Sequence, residues 1–319
     1  MNIIETHALS RVYGKRRAVD SLDMCVAAGE IYGFVGKNGA GKSTAMKMIA
    51  GLVRPTSGSV ELFGAQRRAR EGFSRVGALI EDPGILPTFS ALENLMCKAL
   101  ALGVVRPNAH CRELLELVGL ADTGSLRVKK FSLGMKQRLG LALALVGGPD
   151  LLLLDEPFNG LDPESTRAMR GALVRLNRER GVTMVISSHV LDQLDRMATS
   201  FGVIRSGRMV RELSMNDLHR ECGSSIRIRT NDPARTLAIL EEALPGTALR
   251  AEPDGSILAS AAVRHAATSF GGAAVAPMAT SAEDVARALN EHGLLILELS
   301  HVERDIEEYF VELMGGADA

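Results

Sequence analysis

Residues 36–43 read Gly-Lys-Asn-Gly-Ala-Gly-Lys-Ser, a complete GxxxxGKS between a short apolar run (YGFVG, 32–36) and the helix-forming run Lys42 to Ala50. Glycines at this spacing let backbone N–H groups turn inward around phosphate oxygens, and a helix beginning there adds the positive end of its dipole. Lys42 is placed to reach β- and γ-phosphates and Ser43 to ligate Mg²⁺, while Gly36, Lys37, Asn38, Gly39, Ala40, Gly41 and Thr44 complete the cradle. A coincidental glycine-rich turn would not need a strand before it and a helix after it. Phosphate binding therefore constrains the fold first: such a strand–loop–helix belongs to an α/β sheet that is mostly parallel.

A second run supports the same sheet. Leu151-Leu152-Leu153-Leu154 is continuously apolar, as a strand buried on both faces would be, and it ends on Asp155-Glu156. Carboxylates at the end of such a strand lie at the carboxyl edge of a parallel sheet, where α/β ligands bind. Asp155 is then the Mg²⁺ holder, and Glu156 is suited to polarise the water that attacks a γ-phosphate. Val182 to Ser187 (VTMVIS) predicts another buried strand, and Val76 to Ile80 a further one.

The 319-residue length suggests two domains. The αβ alternation ends near residue 220, so the boundaries are drawn at 1–220 and 221–319. The second part predicts a small α+β domain of order βαββαβ: a strand over Ser225 to Thr230, a helix over Pro233 to Leu244 and a hairpin turning at Asp254-Gly255. A helix over Ala282 to Leu289, a strand over Leu294 to Leu299 and a closing helix over Val302 to Met314 follow. The Ala- and Gly-rich stretch Ala261 to Thr280 receives no assignment.

Composition excludes several classes. Thirty-seven Lys and Arg against thirty-eight Asp and Glu leave a net charge of −1, without the basic surplus that bulk nucleic-acid binding demands. No tryptophan and three tyrosines argue against stacking platforms for single strands. The longest apolar tract, Leu139 to Leu154, is broken at Gly147-Gly148-Pro149-Asp150, short of a membrane span. Glu5 and His7 stand where a signal peptide would carry its apolar stretch, and four scattered cysteines form no CxxC pair. A reduced, cytosolic compartment is expected.

Phe131-Ser132-Leu133-Gly134-Met135-Lys136-Gln137-Arg138 precedes the DLLLLDE strand and resembles the signature sequence of ATP-binding-cassette proteins. Ser132 is also a good helix N-cap, and both roles are compatible. Gly160-Leu161-Asp162-Pro163 is similar to that family's D-loop. His189, after Ile186-Ser187-Ser188, is similar to its switch histidine, and Tyr13 to the aromatic that stacks on adenine. Glu81, in LIEDP, stands where most of the family has glutamine and resembles the bacitracin-resistance and lantibiotic self-protection cassettes. The stretch Asp305 to Leu313 is similar to the closing helix of stand-alone cassettes serving antibiotic exporters.

The resemblance implies a P-loop cassette with an antiparallel N-terminal subdomain, a helical insert and a mostly parallel sheet. It implies ATP and Mg²⁺ as ligands, Glu156, His189 and Glu81 as catalytic groups, and Ser43, Asp155 and Glu81 as metal ligands. Ser132 and Gly134 would act on nucleotide held by a second copy, in a head-to-tail homodimer, and Asp162 of the D-loop is a further nucleotide-binding residue. The partner would be an integral-membrane permease exporting a peptide antibiotic or similar amphiphile, with this chain peripheral on the cytoplasmic face. The other functions weighed are a soluble cassette ATPase acting on ribosomes or DNA, which would resemble tandem or coiled-coil-bearing chains, and a regulator without turnover, which Glu156 argues against. A dimer-stabilising appendage is the expectation for 221–319, ahead of a small-molecule sensor. Lys37, where proline is commoner in the family, adds charge beside the phosphates.

Overall fold

The twelve residues Asn2–Tyr13 (β1), their pairing interrupted by register shifts, turn at Gly14-Lys15 into a second twelve-residue strand, Arg16–Ala27 (β2). The chain then enters the fully buried Ile31–Val35 (β3) and, past the glycine-rich loop, the helix Lys42–Ile49 (α1). Ser57–Leu62 (β4) and Ala65–Gln66 (β5) return to the first hairpin, giving an antiparallel sheet of order β2-β1-β4-β5. Its inner side packs Ile4, Leu9, Val19, Leu22, Met24 and Val26 against Phe34, Met46 and Ile49. The computed structural model describes residues 1–66, 75–222, 224–245, 247–261, 281–303 and 306–315.

Val76–Leu79 (β6) is followed by three helices, Ala91–Ala101 (α2), Pro107–Leu117 (α3) and Leu133–Leu145 (α4), which contact one another. Ser90 caps α2 with a reciprocal Glu93 contact, so both ends of the capping box are satisfied. Leu151–Asp155 (β7), the long helix Pro163–Arg180 (α5), Thr183–Ser188 (β8), Ser200–Arg205 (β9) and Arg208–Ser214 (β10) complete a six-stranded sheet. Its order is β10-β9-β3-β8-β7-β6, parallel throughout except for β10. Every residue of β3 and β8, and Leu151 to Leu154 of β7, is buried, as expected of strands covered on both faces.

By contacts the chain divides into two units: Met1–Met215 with the segment from Phe310 onward, and Asn216–Tyr309. In the first, Phe310 meets Phe201 of β9 edge to face, ring centroids 5.4 Å apart. The units part within the helix Met215–Cys222 (α6). The second unit follows the expected βαββαβ order: Ser224–Thr230 (β11), Pro233–Ala243 (α7), Thr247–Ala251 (β12), Ile257–Ala261 (β13), Ala282–Glu291 (α8) and Ile296–Glu303 (β14). Sheet order is β12-β13-β11-β14, with Ile226, Ile228, Leu240, Ile257, Val285 and Leu289 forming the core under its helices.

The last strand and the closing helix differ from expectation: β14 runs Ile296–Glu303 rather than Leu294 to Leu299. Val302 belongs to β14, not to the closing helix, which runs Ile306–Leu313 (α9). The cause is register: Val302 pairs with Ser225 and Glu303 with Ser224, so the ladder runs the full length of β11 and takes the backbone bonds a helix would need. The Ala- and Gly-rich residues 262–280 lie outside the described residues.

Candidate functional site

Parallel pairing brings the ends of three strands together. Val35 of β3 is level with Ser188 of β8, and Asp155 of β7 is level with Ser187. The glycine-rich loop, the Asp155-Glu156 pair and His189 therefore converge at one carboxyl edge.

The loop is shaped by what its glycines allow. A Cβ on Gly36 would stand 2.5 Å from the Ile204 carbonyl oxygen. Gly41 combines φ of 112° with an equally close approach to the Ala18 carbonyl, so only glycine fits at the start of α1. The loop is pinned at both sides: Gly36 N–H donates to Ser188 O (3.3 Å), and Gly207 N–H donates to Ala40 O (2.8 Å).

Inside it, Lys42 is 5% exposed. Its Nζ donates to Gly36 O (2.6 Å) and faces Glu156 Oε1 at 3.2 Å. Glu156 occupies left-handed backbone, φ 48°, a conformation costing a residue with a side chain about 1 kcal/mol or more. Its carboxylate then spans two partners, Lys42 on one oxygen and His189 Nδ1 at 2.7 Å on the other. Oε1 is buried and lies off the axis of a hydrogen bond to Lys42, so it accepts none among the described residues. Ser187 fixes the acidic pair from behind, donating to Asp155 Oδ1 (2.6 Å) while accepting from Glu156 N–H (2.9 Å).

Lys42 and Glu156 border an open cleft of about 410 Å³ whose wall also includes Tyr13, Asn38, Gly39, Gly41, Ser43 and Thr44; Asp155, Ser187 and His189 stand behind Glu156 and do not line it. The Arg11 guanidinium lies 4.5 Å from the Tyr13 ring centroid and donates to Arg54 O, so Tyr13 is backed by a held cation.

The other marked residues stand elsewhere. Ser132 is the N-cap of α4, accepting from Met135 N–H, and Asp162 is the N-cap of α5. Asp162 accepts from both Ser165 N–H and Ser165 Oγ, each at 2.8 Å. The backbone bond from Ser165, followed by the hydroxyl bond, holds its carboxyl below the usual carboxylate range. A Cβ on Gly134 would stand 2.6 Å from Ser165 Oγ, so the signature and D-loop helices of one chain pack directly on each other. None of Ser132, Gly134 and Asp162 lines the cleft. Glu81 sits just past β6 with φ 62°, exposed, and binds Lys47 Nζ at 2.5 Å.

Residues 19–159 match the ABC transporter domain family. The bacitracin transport ATP-binding protein BcrA of Bacillus licheniformis is 35% identical over 316 residues, 98% of each chain. The chain belongs to the ABC transporter family. The lantibiotic transport ATP-binding protein SrtF of Streptococcus pyogenes is 39% identical over 210 residues, covering 66% of this chain and 90% of that one. A dimeric post-hydrolysis cassette bound to ADP and Pi superposes with a TM-score of 0.61 at 22% identity, covering 66% of this chain and 98% of its own. The ABC transporter family is one of ATP-binding ATPase subunits, and this chain is such an ATPase. No described helix of this ABC protein is long and apolar enough to cross a membrane.

Four residues of the site were not singled out by the sequence. Arg16 and Ala18 line the cleft from β2, Ser187 orients both carboxylates, and Arg11 backs Tyr13. Ser187 had a signal in the Ser187-Ser188-His189 run, whereas Arg16 is visible only once the first hairpin is folded.

Proposed function

We propose that this chain is the ATP-hydrolysing motor of an exporter, working on the cytoplasmic face of a membrane as a head-to-tail homodimer beneath a separate integral-membrane permease. The observation that carries the reading is the split placement of the nucleotide-directed groups. Lys42, Ser43 and Glu156 border the cleft, while Ser132, Gly134 and Asp162 do not. A second copy would bring that second set to the first copy's γ-phosphate. Nucleotide then joins the copies, and hydrolysis releases them.

In this reading Tyr13 stacks on adenine, backbone N–H groups of residues 36–44 hold the phosphates, and Lys42 leaves Glu156 for the β- and γ-phosphates. Glu156 is then free to take a proton from water through an oxygen that already accepts no hydrogen bond. His189 holds the other oxygen, so the carboxylate keeps its direction as Lys42 departs. The Ser43 hydroxyl and the Asp155 carboxylate are hard oxygen donors and fit Mg²⁺. Held by these two residues, Mg²⁺ would supply charge neutralisation at the β- and γ-phosphates. Glu81 follows β6 at this same carboxyl edge, Leu79 being level with Leu154. Exposed ion pairs are worth about 0–1 kcal/mol, so exchange of Lys47 for the metal and attacking water costs little.

The permease is assigned to the helical side. A groove of about 230 Å³ lined by Pro83, Ile85, Pro87, Val128 and Leu133 links the segment after Glu81 to the signature helix. Residues 221–319 form the accessory domain of this reading. The bacitracin relative aligns along 98% of the chain, the lantibiotic relative along 66%, which favours a bacitracin-like peptide as cargo. Co-expression with a candidate integral-membrane partner, in a bacitracin-sensitive host, tests the assignment. Wild type should raise tolerance and Glu156→Gln should not; equal tolerance in the two strains would remove export.

A further inference from the structure

We propose that Arg16 is a nucleotide ligand, its guanidinium binding the α-phosphate of ATP or ADP between the adenine at Tyr13 and the terminal phosphates at Lys42. This rests on the cleft being the nucleotide site. Arg16 pairs directly with Tyr13 across the two-residue turn of the first hairpin. Directly opposed residues of an antiparallel pair share one face, so Tyr13 and Arg16 project together, and both border the cleft. A Cβ on Gly39 would lie 3.7 Å from Arg16 Nη2, which places the guanidinium over the turn of the phosphate loop.

Its neighbours are occupied and it is not. Arg17 pairs with Asp20 at 2.5 Å, and Arg11 donates to Arg54 O. Among the described residues Arg16 has no hydrogen-bond or ion-pair partner for its guanidinium. A planar cation with five N–H donors, at the wall of an anion-binding cleft and lacking an acceptor, matches a phosphate in charge and geometry. Arg16 thus stands beside Tyr13 on the hairpin and over Gly39 of the phosphate loop, so the part of the nucleotide level with it is the one between adenine and the terminal phosphates.

Equilibrium titration of the full chain with fluorescent ATP and ADP, and competition by adenosine, tests this. Arg16→Ala should weaken ATP and ADP alike by about tenfold, the scale of a hydrogen bond to a charged group, and leave adenosine unchanged. Arg16→Lys, which keeps charge but not the fork, should fall between. Phosphate release by Arg16→Ala should show raised KM with kcat unchanged, because the α-phosphate does not change in the reaction. Unchanged ATP and ADP binding would overturn the proposal, as would an equal loss for adenosine, which would mean Arg16 only supports the hairpin. Failure of the cleft reading looks different: Lys42→Ala and Tyr13→Ala would then bind nucleotide as wild type does.

Discussion

On the phosphate side of the cassette the chemically active groups are buried or half-buried and contact one another, with Glu156 Oε1 left without a hydrogen bond among the described residues. Lys42 faces Glu156, Glu156 meets His189, and Ser187 holds Asp155. On the signature side the marked groups are solvent-facing helix caps, with Ser132 and Asp162 bonded to the backbone of their own helices. The first arrangement has internal contacts that an incoming triphosphate must replace. The second has completed its local bonding and needs no change of its own to dock against another surface. In the proposed homodimer, each nucleotide site would join one half of each kind.

The largest expected effect breaks the phosphate side. Glu156→Gln keeps shape and the contact with His189 but removes the base, so phosphate release should fall by about 10³-fold while ATP binding persists. Light scattering should then show this variant at twice the monomer mass in ATP and Mg²⁺. Turnover near wild type would put the base elsewhere. Next in size is Ser132→Arg, on the signature side. Loss of a donor to the γ-phosphate in the partner's site should lower turnover by about 10²-fold, with ATP binding to the monomer unchanged. Weakened binding in the monomer would mean that both halves serve one nucleotide within a single chain, and the contrast would collapse.

Much of the phosphate side was legible in the primary structure because its determinants are local. Gly36 to Ser43 and Leu151 to Glu156 each hold strand, turn and active group in one stretch, and a parallel sheet can place their ends only at one edge. What escaped is long-range. Arg16 and Ala18 reach the loop only because the first hairpin packs there, and the Lys47 partner of Glu81 comes from another element. The start of α9 was misplaced because Val302 and Glu303 are claimed by the β11 ladder, which local helical patterning does not register. The signature and D-loop motifs were legible as helix starts, yet their contact through Gly134 and Ser165 was not.

That contact supplies the third prediction. In Gly134→Ala the new Cβ meets Ser165 Oγ at 2.6 Å and Ser165 Cβ at 3.1 Å. Ser165 is tethered to Asp162 and cannot simply swing away. Overpacking of about 1–3 kcal/mol should lower the melting temperature by on the order of 5 °C. Adding Ser165→Ala removes the nearer atom and should recover part of the loss, a positive coupling in a double-mutant cycle. Strictly additive losses would show that the two helices do not bear on each other.

The smallest effect concerns the charge on the Asp162 cap. Bonds from Ser165 hold this carboxyl below its usual range, so the folded state binds the proton less readily than the unfolded chain does. The resulting stabilisation is present above the unfolded value of about 3.9 and is lost as pH falls through the lower folded value. Asp162→Asn keeps an oxygen acceptor for Ser165 N–H but carries no charge at either pH. The wild type should therefore melt about a degree above the variant from pH 7 down to pH 5, consistent with a solvent-exposed cap. Below about pH 4 the two curves should converge, because protonation turns the wild-type carboxyl into a neutral cap as well. A gap that stays constant to pH 3 would remove the charged form from the stability of α5. By contrast, the Lys42–Glu156 pair across the cleft is shielded from solvent, so added salt should diminish the Asp162 difference while leaving ATP-free Lys42 in place.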